Sequence, residues 1–219
     1  MYSKDLVKDY LDYRCSIYFC LKSLYITEPN ESIVNDIIDA CIDNKDKECM
    51  EYEKNFVSFF ADLDKESINN LCKDVRVEYA RLFLGPRHVV APPYESVYTS
   101  GSKSIFGEAS MEVKELYERV GVKIENKANI PYDFIGYELE FIYYLSFKAL
   151  EAIDKDDREL FNEILSYSNY FIKEHTAKWI NKFTKDIEEN TTMDFFKVVA
   201  KFTREFVLSD CKMIDELLK

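Results

Sequence analysis

A histidine, a glutamate and a serine lie close together along this chain, at His88, Glu95 and Ser96. Such residues can supply the base, the orienting acid and the nucleophile of a hydrolase, because a catalytic triad is defined by geometry and not by order. Ser96, however, is not part of the Gly-x-Ser-x-Gly turn that exposes the nucleophile of many hydrolases. The pattern therefore favours a binding protein over an enzyme, with a small hydrolase as an alternative.

Acids that lie among aromatic residues form a second group. Glu95 follows Tyr94, and Glu138 falls at helical spacing from Phe141. A carboxylate in an apolar stripe is costly unless it is paired, hydrogen-bonded or beside water. Together with Asp133, these acids can form an acidic and apolar surface, which suits a peptide that carries arginines beside hydrophobic residues.

Common cofactor and metal motifs are absent from the sequence. It contains neither G-x-x-x-x-G-K-[ST] nor G-x-G-x-x-G, and neither of its two histidines follows a glutamate by three residues. Helical-bundle di-iron sites use such Glu-x-x-His pairs. We therefore expect no cofactor, no metal ligand and no catalytic residue.

The charge balance is strongly acidic, with 41 acidic against 29 basic residues and a net charge of −12. This excludes most nucleic-acid and anionic-lipid partners, which select for basic patches, and favours a basic partner. The first residues lack the basic and then apolar order of a signal peptide. Since no uncharged apolar run approaches the ~20 residues that span a bilayer, we expect a cytoplasmic protein without membrane insertion.

One stretch, Tyr79–Tyr98, contains three of the five prolines and Gly85, one of only five glycines. Gly85-Pro86 must end the helix that carries Leu82 and Phe83, and Pro92-Pro93 stiffen the loop that follows. A long, apolar and partly rigid loop between helices is usually functional. This stretch is the first candidate for the site.

Outside that stretch, apolar residues recur at steps of three and four, and no segment alternates with period two, so the predicted fold class is all-α. Asp133 is placed as the N-cap of a helix that runs to about Ile153. His175 and Trp179 lie four residues apart and are interpreted as packing residues that tie two helices together.

Three segments resemble the TorD/DmsD family of redox enzyme maturation chaperones. The first is Tyr79-x-x-Leu-Phe-x-Gly-Pro86 followed by Pro92-Pro-Tyr-Glu-Ser-Val-Tyr98, which combines rare residues at fixed offsets. The second is Pro131-x-Asp-x-x-x-x-Glu-Leu-x-Phe141, and the third is the spacing Phe171-x-x-x-His-x-x-x-Trp-x-x-x-Phe183. They lie in the order found in the family.

The resemblance implies an all-helical chaperone of about nine helices in one domain, residues 1–219, with lobes of about 1–121 and 122–219. It implies binding of a molybdopterin oxidoreductase subunit of the dimethyl sulfoxide reductase type through its twin-arginine signal peptide or N-terminus. That binding would assist cofactor insertion and control export. A sister branch that serves nitrate-reductase-like enzymes with a non-exported client is the alternative. The expected assembly is a monomer or a homodimer.

The resemblance also implies the residues of a peptide-binding groove. They are Tyr79, Leu82, Phe83, Gly85, Pro86, Pro92, Pro93, Tyr94, Glu95, Ser96, Tyr98, Asp133, Phe134, Glu138 and Phe141. Many members have a histidine after the aspartate of the second segment, whereas this chain has Phe134, which indicates a different client. We expect Asp133→Asn and Leu82→Ala each to weaken client binding without unfolding the protein.

Overall fold

The fold is known from a computed structural model, which describes residues 2–44, 50–85, 89–100, 105, 107–125 and 129–219. Within these ranges the chain forms ten α-helices and two π-helical turns, and no strand. The α-helices are α1 Lys4–Ile26, α2 Glu31–Asn44, α3 Glu51–Ala61, α4 Lys65–Tyr79, α5 Glu95–Thr99, α6 Glu108–Arg119, α7 Ile135–Asp154, α8 Arg158–Phe171, α9 Ala177–Asn190 and α10 Asp194–Leu217. The π-helical turns are π1 Ala80–Leu84 and π2 Ile172–Thr176.

The two π-helical turns join neighbouring helices without a break. Helix α4 continues into π1, and α8 passes through π2 directly into α9. Counted as continuous stretches, the described residues contain nine helices, so the predictions of an all-α fold and of about nine helices are confirmed. Helix π1 ends at Gly85, where the sequence predicted the break.

Several helix ends follow from local side-chain chemistry. Asp64 accepts a hydrogen bond from the Ser67 amide at 2.8 Å and caps α4, and Asp157 caps α8 in the same way through the Leu160 amide at 3.0 Å. Helix α6 ends where Gly121 takes a φ of 76°. The amides after this helix then return to its last carbonyls, which is the usual glycine C-cap.

The chain divides into two compact units, each assembled from separate segments. Unit 1 comprises Met1–Lys22, Tyr94–Ile180 and Val207–Lys219, and unit 2 comprises Ser23–Pro93 and Asn181–Phe206. Each unit takes segments from before and after residue 121, whereas the expected lobes are contiguous. A single domain over residues 1–219 stays a prediction.

Unit 1 is built on an antiparallel pair, α7 and α8, connected by the turn at Lys155–Asp157. Four of its helices contribute the buried side chains Leu11, Leu116, Tyr117, Leu139, Ile142, Leu145, Leu165 and Phe171. Phe141 lies at the centre of an aromatic group, with ring centroids 4.6 Å from Tyr117 and 4.8 Å from Phe171. The apolar face that the sequence predicted for α7 is therefore the core of this unit.

A buried ion pair also lies inside unit 1. The Nε of Arg14 donates to both carboxylate oxygens of Asp210 at 2.9 Å, and both side chains are fully buried. Side chains of three helices complete the network: Tyr10, Tyr18, Ser146 and Ser168. Because burial and the charge of Asp210 raise the pKa of Tyr18, its hydroxyl keeps the proton that it donates to this carboxylate.

Unit 2 has an aromatic core. Phe83 contacts Tyr25, Tyr79, Phe183 and Phe196, with ring centroids between 4.9 and 6.1 Å apart. A second group of stacked and edge-on rings joins α3 to α10, and it consists of Phe56, Phe60, Phe195 and Phe202. Aromatic pairs of this kind add to the stabilisation that comes from burial alone.

None of the helices in the described ranges combines the length and the apolar character that crossing a membrane requires.

Candidate functional site

The predicted site residues are divided between the two units. Unit 2 holds Tyr79, Leu82, Phe83, Gly85, Pro92 and Pro93, and unit 1 holds Tyr94, Glu95, Ser96, Tyr98, Asp133, Phe134, Glu138 and Phe141. Pro86, and His88 of the hydrolase alternative, lie outside the described residues. Each group is described within its own unit.

In unit 2, the aromatic and aliphatic members are core residues. Leu82 is completely buried, and Tyr79 and Phe83 are less than 5% exposed. The Tyr79 hydroxyl donates to the backbone oxygen of Tyr25 at 2.7 Å, and the Ala91 amide donates to the Leu82 oxygen at 2.9 Å. These residues therefore fix the path of the proline-containing loop, and their direct contact with a peptide stays a prediction.

The burial of Leu82 changes what one expected variant can report. Truncating a fully buried leucine to alanine costs about 2–5 kcal/mol, because a cavity remains. Leu82→Ala therefore acts on the core of unit 2, and a loss of client binding in this variant would not report on the groove alone. Asp133→Asn remains a variant for testing client binding.

In unit 1, Asp133 holds the short helix α5. Its side-chain Oδ2 accepts a hydrogen bond from the Ser96 amide at 2.7 Å, and its backbone oxygen accepts one from the Glu95 amide at 3.1 Å. Helix α7 begins after Phe134, whose side chain makes no capping hydrogen bond. The prediction that Asp133 is the N-cap of its own helix is thus wrong: it caps a helix that lies 37 residues earlier in the sequence.

The residues next to these contacts are joined as well. Tyr94 and Phe134 form an isolated antiparallel bridge, and their ring centroids lie 5.9 Å apart. The ring of Phe134 also meets Tyr137 edge-on at 5.3 Å. Phe134 therefore supports two tyrosines that are both partly exposed.

Glu95 makes a buried side-chain hydrogen bond with His175. Its Oε2 lies 2.9 Å from the Nδ1 of His175, and both side chains are 4% exposed. Burial raises the pKa of Glu95, while the contact with His175 opposes that rise in part. A cavity of about 340 Å³ reaches His175 from the surface.

Glu138 is completely buried and receives two hydrogen bonds through one oxygen. Its Oε2 accepts from the Thr176 hydroxyl at 2.8 Å and from the Trp179 indole at 3.3 Å. Burial, with the nearby charges of Glu95 and Asp133, raises the pKa of Glu138 well above its usual value. The acid that looked costly in the sequence is therefore hydrogen-bonded, and its environment favours the protonated form.

Glu95, Asp133 and Glu138 are together called the acid cluster. Three buried atoms in and beside it have no hydrogen-bond partner in the described parts of the chain: Ser96 Oγ, Asp133 Oδ1 and Glu138 Oε1. No group of three or more histidine, cysteine, aspartate or glutamate side chains in those parts is placed to hold a metal ion. Buried polar atoms without partners are uncommon in folded proteins, and they often mark functional sites.

The turn π2 supplies the partners of the acid cluster. A π-helical turn adds a residue to the helix and often occurs at functional sites. Here the neighbouring residues His175 and Thr176 both reach acids, and Trp179 stacks on Tyr98 at 5.6 Å besides binding Glu138. The sequence interpretation had His175 and Trp179 as packing residues and missed Thr176, although the regular spacing of the third segment singled out this region.

We expect Asp133→Ala to release helix α5. Losing a side-chain acceptor at a helix start costs about 1 kcal/mol, so the Ser96 amide should exchange its hydrogen roughly five- to tenfold faster than in the wild type. Native-state hydrogen exchange followed by NMR measures this directly. Asp157→Ala is the matched control, since it should speed exchange at Leu160 and leave Ser96 unchanged. Equal exchange at Ser96 in wild type and Asp133→Ala would contradict the capping role.

The arrangement gives no support to the hydrolase alternative. Glu95 is engaged by His175, and Ser96 is fully buried in α5. A nucleophile needs a base within hydrogen-bonding reach and access to substrate. The contacts instead connect α5, α7 and π2 to one another. Partly exposed tyrosines lie beside them: Tyr94 and Tyr98 were predicted site residues, and Tyr132 and Tyr137 were not.

Comparisons with known proteins identify relatives along most of the chain. The family model described as nitrate reductase delta subunit matches residues 43–185. The chaperone protein TorD of Vibrio cholerae is 25% identical over 221 residues, and the match covers 94% of each chain. A proposed Tat proofreading chaperone, DmsD, of Haemophilus influenzae is 22% identical, with 84% of this chain and 82% of that one covered.

One solved structure has the same fold. It is the crystal structure of a proposed redox enzyme maturation protein from Archaeoglobus fulgidus, with a TM-score of 0.54 and 22% identity. The match covers 89% of this chain and 93% of that chain.

Proposed function

Since this chain belongs to the nitrate reductase delta subunit family, of TorD/DmsD type, we propose that it is a cytoplasmic chaperone for a molybdopterin oxidoreductase of the dimethyl sulfoxide reductase type. It binds the catalytic subunit through its twin-arginine signal peptide or N-terminus, assists cofactor insertion and delays export. It acts by binding and without turnover.

One observation supports the proposal independently of overall similarity. The three segments that carry the family resemblance meet inside unit 1 at the acid cluster. Glu95 comes from the first segment, Glu138 from the second, and His175, which contacts Glu95, from the third, 80 residues further on. Residues so far apart that converge on buried and incompletely bonded acids are more typical of a functional site than of simple packing.

The accessible part of this site fits a basic and apolar peptide. Tyr94, Tyr98 and Tyr137 are partly exposed above the acid cluster, and the chain carries a net charge of −12. Tyrosine gives a large contact area and a polar tip, which is why it is enriched at interfaces. We propose that the peptide contacts these rings, that the hydrogen bonds of the buried acids hold the rings in place, and that the acidic charge balance of the chain attracts the arginines of the peptide.

The second candidate is a chaperone for a nitrate-reductase-like enzyme whose client segment is not exported. The description of the matching family favours it, because that family is named for the nitrate reductase delta subunit. Phe134 favours it too, since an aromatic ring here replaces a polar residue of many relatives. The N-terminus of the client separates the two candidates, because only the first requires a twin-arginine stretch.

The deciding experiment is affinity isolation of the tagged protein from its own cells, grown anaerobically, with mass spectrometry of the bound polypeptides. We expect a molybdopterin oxidoreductase subunit to be recovered, and its N-terminal sequence then distinguishes the two candidates. Recovery of no such subunit with a folded and expressed protein would overturn the proposal.

Tyr94→Ser is expected to weaken binding of the client's N-terminal peptide about tenfold, or ~1.4 kcal/mol, because a partly exposed aromatic anchor is lost. Fluorescence anisotropy with the labelled peptide measures the affinity. Tyr2→Ser is the matched control, because Tyr2 is 45% exposed, precedes α1 and donates its hydroxyl to Glu216 of α10. Unchanged affinity in Tyr94→Ser would place the contact surface elsewhere.

A further inference from the structure

A second surface of unit 1 lies where α1 and α7 run antiparallel. Three contacts fix their register: Lys8 with Asp154 at one end, Phe19 with Tyr143 near the other, and then Lys22 with Glu140. Between the two ion pairs the surface carries two exposed rings, together with the exposed Asp12 and the Lys148–Glu151 ion pair. Phe19 is 51% exposed and Phe147 is 47% exposed, which is unusual for large rings on neighbouring helices.

Lys22 occupies a site that would fit any cationic side chain. Its Nζ lies 5.2 Å from the ring centroids of both Phe19 and Tyr143, and 2.9 Å from Oε1 of Glu140. Two aromatic faces and one carboxylate thus surround a single ammonium group. Cations bind aromatic faces within about 6 Å, most strongly when they are partly removed from water. The Lys22 side chain is itself only 15% exposed.

The charge around this surface favours a cationic partner. Glu140 is 49% exposed although it binds Lys22, and Asp12, which is exposed, lies on the same side of α1 as Phe19 by helical spacing. A second copy of this chain is a poor occupant, since two copies that each carry −12 repel each other. A partner with arginines beside apolar residues satisfies both the rings and the carboxylates.

We propose that the α1–α7 surface, defined by Phe19, Lys22, Glu140, Tyr143 and Phe147, docks a cationic amphipathic helix of a partner protein. An arginine of that helix takes the place of the Lys22 ammonium between the two rings and Glu140, and its apolar residues cover Phe147. This surface is distinct from the partly exposed tyrosines beside the acid cluster. It does not depend on how the client's N-terminus is bound.

Removing a charged residue from this surface is expected to strengthen the binding of the partner helix. Lys22→Met should strengthen binding of a cationic helix about three- to tenfold, because the competing ammonium group is removed while Glu140 and the two rings remain. The control is Lys8→Met, which removes the same charge from the same helix at an ion pair with Asp154. It should change the affinity less than twofold. Glu140→Gln and Phe19→Ser should each weaken binding about three- to tenfold.

The probe is a fluorescein-labelled synthetic helix with leucines on one face and arginines at its margin, titrated into the full-length protein at low salt. A twin probe with citrulline in place of arginine tests the role of charge, and it should bind weakly and respond little to Lys22→Met. Thermal unfolding followed by circular dichroism shows which variants keep the fold. Tyr94→Ser should not affect this probe, which separates a failure here from a failure of the proposed function.

Three results would overturn the proposal. The first is equal or weaker binding in Lys22→Met than in Lys8→Met. The second is equal binding of the arginine and citrulline probes. The third is a change of sedimentation coefficient in Phe19→Ser without a change in probe affinity, which would assign the surface to self-association.

Discussion

Replacing Arg14 with methionine is expected to lower the free energy of unfolding by about 3–5 kcal/mol, the usual cost of leaving one partner of a buried ion pair without the other. Methionine fills much of the space, so the loss comes mainly from Asp210, which stays buried without its cation. Ser146 and Ser168 also lose their donor. Urea unfolding followed by circular dichroism measures the change.

The control is Lys8→Met. Lys8 lies on the same helix as Arg14, and the change breaks the exposed ion pair between Lys8 and Asp154. It should have little measurable effect, because exposed pairs contribute little to stability. The double variant Arg14→Met with Asp210→Leu should recover only part of the loss, since it removes both charges but leaves the buried Tyr18 hydroxyl without its acceptor. Equal stability of wild type and Arg14→Met would contradict the structural role of the network.

The second large effect is a change in the pH dependence of stability in Glu138→Gln. Glutamine keeps an oxygen for Thr176 and Trp179 but cannot ionise. In the wild type, the raised pKa of Glu138 in the folded state means that its stabilising contribution is present below the unfolded pKa, about 4.3, and is lost as the pH rises towards the folded pKa. The wild type should therefore lose stability relative to Glu138→Gln as the pH rises.

Linkage sets the size of this effect. One proton that is bound in the folded state and free in the unfolded state gives a slope of about 1.4 kcal/mol per pH unit, until the pH passes the folded pKa. Urea unfolding at a series of pH values above about 4.5 gives the difference between the two proteins. Glu163→Gln, on the exposed face of α8, serves as the control for a simple loss of charge. Parallel profiles for wild type and Glu138→Gln would show that Glu138 is ionised in the folded protein.

Much of the fold was predictable because the apolar periodicity of a helix is visible in its local sequence. The helix expected to run to about Ile153 corresponds to α7, Ile135–Asp154. Gly85 ended a helix where the sequence placed the break, since a break needs only the residue type and its neighbours.

The contacts of the site could be predicted only in part, because they join distant segments. The acid at position 138 was recognised as costly, but its partner Thr176 has no local signal. Asp133 had the right chemistry for a cap, and only the tertiary fold decides which helix it caps. Arg14 lies within an apolar stripe, and its partner Asp210 is 196 residues away. Each of the two π-helical turns inserts a single residue into a helix. This changes the spacing of the buried apolar residues too little to be recognised in the sequence.

The discontinuous make-up of the units bears on how the chain is synthesised. Unit 1 requires Met1–Lys22 and Val207–Lys219 together, and unit 2 requires Asn181–Phe206 in addition to its earlier segment. Almost the whole polypeptide must therefore leave the ribosome before either unit has all its segments. Until then, the aromatic core residues of the nascent chain stay unburied. Such long-range closure slows folding and prolongs the exposure of apolar surface. A protein proposed to shelter other proteins during their maturation is thus, by its own topology, a candidate client of the general chaperones that attend translation.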